Sequence, residues 1–244
     1  MLAHFVVRLV CGIGLMLLVM PRKGVPGAFF RILMLVLVGL SALAAVSTTG
    51  SLVGPVLLTL GAFAGSILWM LERRTAGTVI LYVVTLGAFA ELGISAMGRL
   101  PADSQLAPSW FFAGDFASAA VLGSTMVGML LGHRYLTVPG MSLAPLQRLN
   151  AFVGASAIAR LAVSAAVLKA APLSLSGSSS YAIWLGLRWL AGIVGPLVVC
   201  VMVRQILKYR NTQSATGVLF VGVILSFIGE LTADLLFREL HLPL

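Results

Sequence analysis

Glu230, Asp234, Arg238 and His241 follow one another at spacings of four, four and three residues. At 3.6 residues per turn that spacing stacks them along one face of a helix. The segment before them, Ala215 to Phe227, is almost wholly apolar, so the stripe lies at the far end of a stretch long enough to cross a bilayer. Charge at that depth is expensive, and an ionisable residue there is a functional-site hypothesis by default. Glu91, Asp115, Arg8, Arg160 and Arg188 fall inside other apolar runs, and His4 lies near the start of the first.

Such residues suit chemistry that moves protons beside an apolar substrate. Oxidation of a quinol needs proton acceptors near two ring hydroxyls, donors for the ring oxygens and an apolar slot for the tail. Glu230, Glu91, Asp115 and Asp234 are candidates for the first role, and Arg188, Arg160, Arg8 and His4 for the second. Arg238 and His241 join the second set at the surface. A plainer reading stands beside this one: acid and base pairs of this kind also lock helices together, and long basic side chains near helix ends snorkel to the interface.

Composition fixes the class. The chain has 244 residues, 60% hydrophobic and only 9% charged, with a mean hydropathy of +1.08. That balance belongs to an all-α, polytopic membrane protein. The net charge of +9 would point to nucleic acid in a soluble domain, but here the basic residues sit between apolar runs and read as topology signals, which excludes nucleic acid as a partner. Cys11 and Cys200, both inside apolar runs, form neither a disulfide framework nor a metal cluster, so no metal site is expected.

Eight runs have spanning length, near 2–20, 29–48, 52–71, 76–97, 110–132, 148–171, 181–207 and 215–237. They follow one another without a break, and the loops between them are too short for a soluble domain, so residues 1–244 form one membrane domain. Arg22, Lys23, Arg31, Arg73, Arg74, Arg134, Arg148, Arg204, Lys208 and Arg210 crowd the connections after the odd-numbered helices, whereas the opposite side has only Arg99, Lys169 and Arg238. The positive-inside rule therefore places both termini outside, in a bacterial inner membrane. At about 1.5 Å per residue, Glu91 and Glu230 then lie roughly 22 Å into a hydrocarbon core about 30 Å thick, in its outer half.

The two ends of the chain also echo each other. Glu91, Leu92, Ser95 and Arg99 match Glu230, Leu231, Asp234 and Arg238 at a constant displacement of 139 positions, as Thr75 and Ala76 match Ser214 and Ala215. Residues 1–100 and 110–240 thus read as two four-helix bundles in a parallel repeat.

A terminal helix that carries Gly229-Glu230-Leu231 and then Leu235-Leu236-Phe237, in an eight-helix chain with charges in its outer half, resembles the quinone-reactive membrane anchors of the polysulfide reductase and dimethyl sulfoxide reductase type, the NrfD-like and DmsC-like subunits. The resemblance implies a subunit that carries no redox centre of its own. It would bind menaquinone or ubiquinone and their quinols near the outer face, pass electrons to an iron–sulfur or multihaem partner, and sit among lipid and other membrane subunits. Two other classes fit the same helices. A structural membrane subunit needs no site, and a small secondary transporter is expected to have a broken helix at mid-membrane, which these runs do not suggest.

Overall fold

The computed structural model describes residues 1–22, 24–101, 106–138, 140–171, 179–240 and 242–243, with side chains from 182 onward in the seventh span. His241, expected at the quinone site, lies outside the described residues, as do Lys23 and Asp103. The described residues are helical throughout, with short turns between. In chain order the elements are α1 (Leu2–Val19), α2 (Gly27–Ser47), α3 (Val53–Met70), α4 (Arg74–Met97), α5 (Pro108–Thr137), α6 (Ala144–Ala170), α7 (Ser179–Trp189), α8 (Gly195–Lys208) and α9 (Thr212–Leu240). A single π-helical turn, Leu190–Val194, joins α7 to α8, so the two form one span. Eight spans are long and apolar enough to cross a membrane. As helices they satisfy their interior backbone hydrogen bonds within the segment, as hydrocarbon requires.

The helices pack in two rings. α1, α2, α3 and α4 each lie against the next, and α4 returns to α1; α5, α6, α8 and α9 close a second ring in the same way. The rings meet along α1 and α5. These two are the interior helices: 72% of the α1 span and 67% of the α5 span are buried, against 33–50% of the others. Their contact is backbone on backbone. A Cβ on Gly12 would lie 1.9 Å from the carbonyl oxygen of Ala119, and one on Gly123 would lie 2.1 Å from the carbonyl carbon of Gly12. In lipid, where helices gain little by hiding apolar surface from one another, such close approach of small residues supplies the association energy. Other apolar side chains face outward: Leu57, Leu60, Val79, Leu86, Ile183 and Leu190 are all more than half exposed, as suits contact with lipid tails.

Trp69, near a helix end, is buried and stacked on Phe30 at 4.5 Å. One local feature differs from the sequence reading. The seventh span, expected to be unbroken, contains the π turn. Its cause is Pro196, which has no N–H to give to the carbonyl one turn back. The ladder shifts register ahead of the proline, and the Gly195 amide bonds the Leu190 carbonyl, five residues back. The shift lets the span approach α9 closely, since a Cβ on Gly229 would lie 2.0 Å from the Gly192 Cα.

Candidate functional site

Most of the sequence-marked residues converge at the end of the bundle that holds both termini. On α9 the four-residue spacing turns Glu230 and Asp234 into the interior, and both are buried. Arg238, one turn further along, is exposed. Around the two carboxylates stand Arg8 from α1, Arg99 just past α4, Arg160 from α6 and Arg188 from the end of α7.

Glu230 is the centre of this network. Arg160 grips it with two bonds, Nε to Oε1 and Nη2 to Oε2, both 3.1 Å. Bidentate pairs of this geometry are the strongest ionic contacts a carboxylate makes. Ser118 Oγ donates to Oε2 at 2.6 Å. Arg8 Nη1 lies 3.5 Å from Oε2 and Arg188 Nη2 lies 3.3 Å from Oε1. Asp234 is held between Arg8 at 2.5 Å and Arg99 at 3.5 Å. The Arg8 contact is close but poorly aligned: neither Arg8 Nη2 nor Asp234 Oδ2 gains a hydrogen bond from it. Arg8 instead donates through Nη1 to Ser118 Oγ at 3.0 Å.

Asp115 and His4 form a second, smaller unit beside the first. His4 Nε2 lies 2.8 Å from Asp115 Oδ1, and Nδ1 lies 2.7 Å from Ser95 Oγ. With Nε2–H donating to the carboxylate, Nδ1 accepts the serine hydroxyl, so one proton can enter or leave the pair along a defined line. The three residues come from α5, α1 and α4, so this contact also ties the two rings together.

Between the two units lies a cavity of about 30 Å³, lined by Arg8, Arg99, Asp115, Arg160 and Asp234, with Phe111, Phe237 and small residues completing the wall. That is room for about two waters. A wider recess of about 270 Å³ adjoins it, lined by Met1, Arg99, Asp234, Phe237 and Arg238. Arg99 and Phe237 stand at the boundary of both, with the guanidinium 4.3 Å from the ring centroid. The stack divides an inner polar chamber from an outer mouth.

No family model, curated protein or solved structure matches this chain. Its chemistry is therefore argued from this geometry.

Of the proposed proton acceptors, Asp115 and Asp234 line the cavity, whereas Glu230 is sealed behind its three arginines. Glu91 is elsewhere. It is half-buried in the cleft between α3 and α4, where a Cβ on Gly54 would fall 1.7 Å from its Oε2. Its carboxylate thus rests on the first turn of α3, whose amides carry partial positive charge. Of the proposed donors, Arg8 and Arg160 border the cavity, Arg238 the recess, and His4 acts through Asp115; Arg188, away from the cavity wall, pairs with Glu230. Five participants were not singled out as site residues. Ser118 is three residues after Asp115, on the same helical face, and that spacing was available in the sequence. Ser95 and Arg99 stood in the repeat alignment, opposite Asp234 and Arg238. Phe237 stood in the terminal motif without a role of its own, and Phe111 carried no signal, because an aromatic in an apolar helix looks like packing.

Proposed function

We propose that this chain is the quinol-interacting membrane anchor of a multisubunit oxidoreductase in a bacterial inner membrane, its two rings the halves of a parallel repeat and its termini on the outer side. The observation that carries the proposal is the Asp115–His4 pair on the wall of a water-sized cavity that adjoins a cationic, aromatic-lined recess. A quinone ring is too large for the inner cavity. The outer recess approaches the size of small-ligand sites, about 300 Å³ and upward, and offers Arg99 and Arg238 as donors with Phe237 as an apolar wall.

A bound quinol would supply two electrons and two protons. The protons pass to Asp115 and His4 through the cavity water, or directly where a hydroxyl reaches Asp115. The electrons pass to an iron–sulfur or haem centre of a partner subunit. Arg8 holds Asp234 at the cavity wall, and Glu230 fixes Arg8 and Arg160 in place, a positioning role. The enclosure of Glu230 also favours a second reading, in which the arginine cluster only clamps six helices into a structural subunit.

The two readings separate in the purified complex. Asp115→Asn removes the proton acceptor but keeps the hydrogen-bonding shape, so quinol-linked electron transfer should fall by about 10²–10⁴ while assembly and partner content are unchanged. Turnover equal to wild type, with an assembled complex, leaves the structural subunit.

A further inference from the structure

Another recess, of about 420 Å³, opens at the end of the bundle away from both termini. To its wall α2 contributes Ala28 and Arg31, α3 contributes Trp69 and Met70, and the turn into α4 adds Glu72 and Arg74. Arg31 and Arg74 are exposed and come from different helices, so an anion between them would meet two guanidiniums. Glu72 is an exposed carboxylate on the same wall. Both α2 and α4 begin at this recess, and neither start carries a side-chain cap. Their first amides add partial positive charge. Trp69 Nε1 is buried and has no hydrogen-bond partner among the described residues. It lies where a Cβ on Gly77, in the first turn of α4, would be 3.0 Å away.

An apolar track continues from the recess along the spans. On α2, Ile32 and Leu35 lie four residues beyond Ala28 and Arg31; on α3, Ile67 and Phe63 lie three and seven residues before Met70. Those spacings keep each set on the helix face that lines the recess, and all four side chains are exposed. The two helices pack against each other, so their tracks share one outer surface. A free anion would use the arginines alone, whereas an anionic lipid would use the track as well. We propose that this recess binds one anionic phospholipid, its phosphate held by Arg31 and Arg74 and its acyl chains lying along Ile32, Leu35, Phe63 and Ile67. Basic pockets between membrane helices hold anionic headgroups in this way. The proposal goes beyond the quinol reading, shares no residue with it and does not depend on it.

The test uses the full chain in detergent, stripped of lipid, with its partners if they co-purify. Phosphatidylglycerol or phosphatidylcholine of the same chain length is titrated in, and bound lipid is counted by native mass spectrometry. Phosphatidylglycerol should fill one saturable site, and the zwitterionic lipid should bind there about fivefold or more weakly. Arg31→Gln and Arg74→Gln should each raise the half-saturating phosphatidylglycerol concentration about fivefold, whereas Glu72→Gln should lower it. Arg204→Gln is the control: it lies four residues before the end of α8, as Arg31 lies four after the start of α2, and at the same end of the bundle. Its half-saturation should equal that of wild type. Should Arg74→Gln fail to fold, Arg31→Gln and Glu72→Gln decide. Equal binding of the two lipids, a loss from Arg204→Gln as large as that from Arg31→Gln, or displacement of the bound lipid by excess inorganic phosphate overturns the proposal.

Discussion

Glu91 and Glu230 occupy matched positions in sequence, each followed by leucine, and each with an arginine eight residues on. They have opposite surroundings. Glu230 is sealed among Arg8, Arg160, Arg188 and Ser118 at the meeting of both rings, whereas Glu91 lies half-exposed against the first turn of α3. The helix partners account for the contrast. α9 faces α5 and the π turn and lies within reach of arginines on α1, α6 and α7. α4 closes its ring against α3, whose described residues hold no charge. A buried carboxylate becomes the centre of a network only where several helices bring cations to it. Glu91, at the edge of one ring, has no ion pair among the described residues.

The largest effect should come from Glu230→Gln. Three arginines lose their shared counter-charge in a place that water does not reach, and breaking a buried ion network by removing one member costs about 3–5 kcal/mol. The expected outcome is loss of folded, assembled protein, seen as a lowered melting temperature and poor recovery from membranes. An assembled Glu230→Gln protein that had lost only electron transfer would make Glu230 part of the chemistry and undo the contrast with Asp115.

Arg188→Met tests the same cluster from the cationic side. Methionine has a similar length, Glu230 keeps Arg160, Arg8 and Ser118, and a buried cation whose three nitrogens lack a hydrogen bond among the described residues is removed. The net cost should stay below about 1 kcal/mol, since replacing buried ionic groups by apolar ones of similar volume is often neutral. A loss as large as that of Glu230→Gln would mean that Glu230 depends on Arg188 as much as Arg188 depends on Glu230.

Much of this was legible in the sequence. The eight spans follow from apolar length alone, and the depth of Glu230, Asp234, Arg8, Arg160 and Arg188 follows from counting residues along helices. Convergence did not follow, because which face of a helix meets which neighbour is set by close packing. Gly12 against Gly123 and Gly192 against Gly229 fix the rotation of α1, α5 and α9, and nothing in an apolar run marks those glycines among the others. For the same reason Glu91, equal to Glu230 by depth and spacing, could not be separated from it. The π turn was hidden too: Pro196 was visible in the sequence, but prolines in membrane helices produce kinks, register shifts or nothing, according to their neighbours.

The smallest effect should come from Glu91→Gln, and it bears most directly on the comparison. Glutamine keeps the length and an oxygen beside Gly54, and loses a charge that has no ion pair among the described residues. The stability change should stay within about 0.5 kcal/mol. Quinol-linked turnover and partner content should both match wild type. Gly54→Ala should push the carboxylate aside, since the added methyl would coincide with Oε2, and a flexible side-chain end can move without shifting either helix. If Glu91→Gln instead reduced turnover as much as Asp115→Asn, the two halves of the molecule would share the chemistry, and the site would extend along α4 into the cleft beside α3.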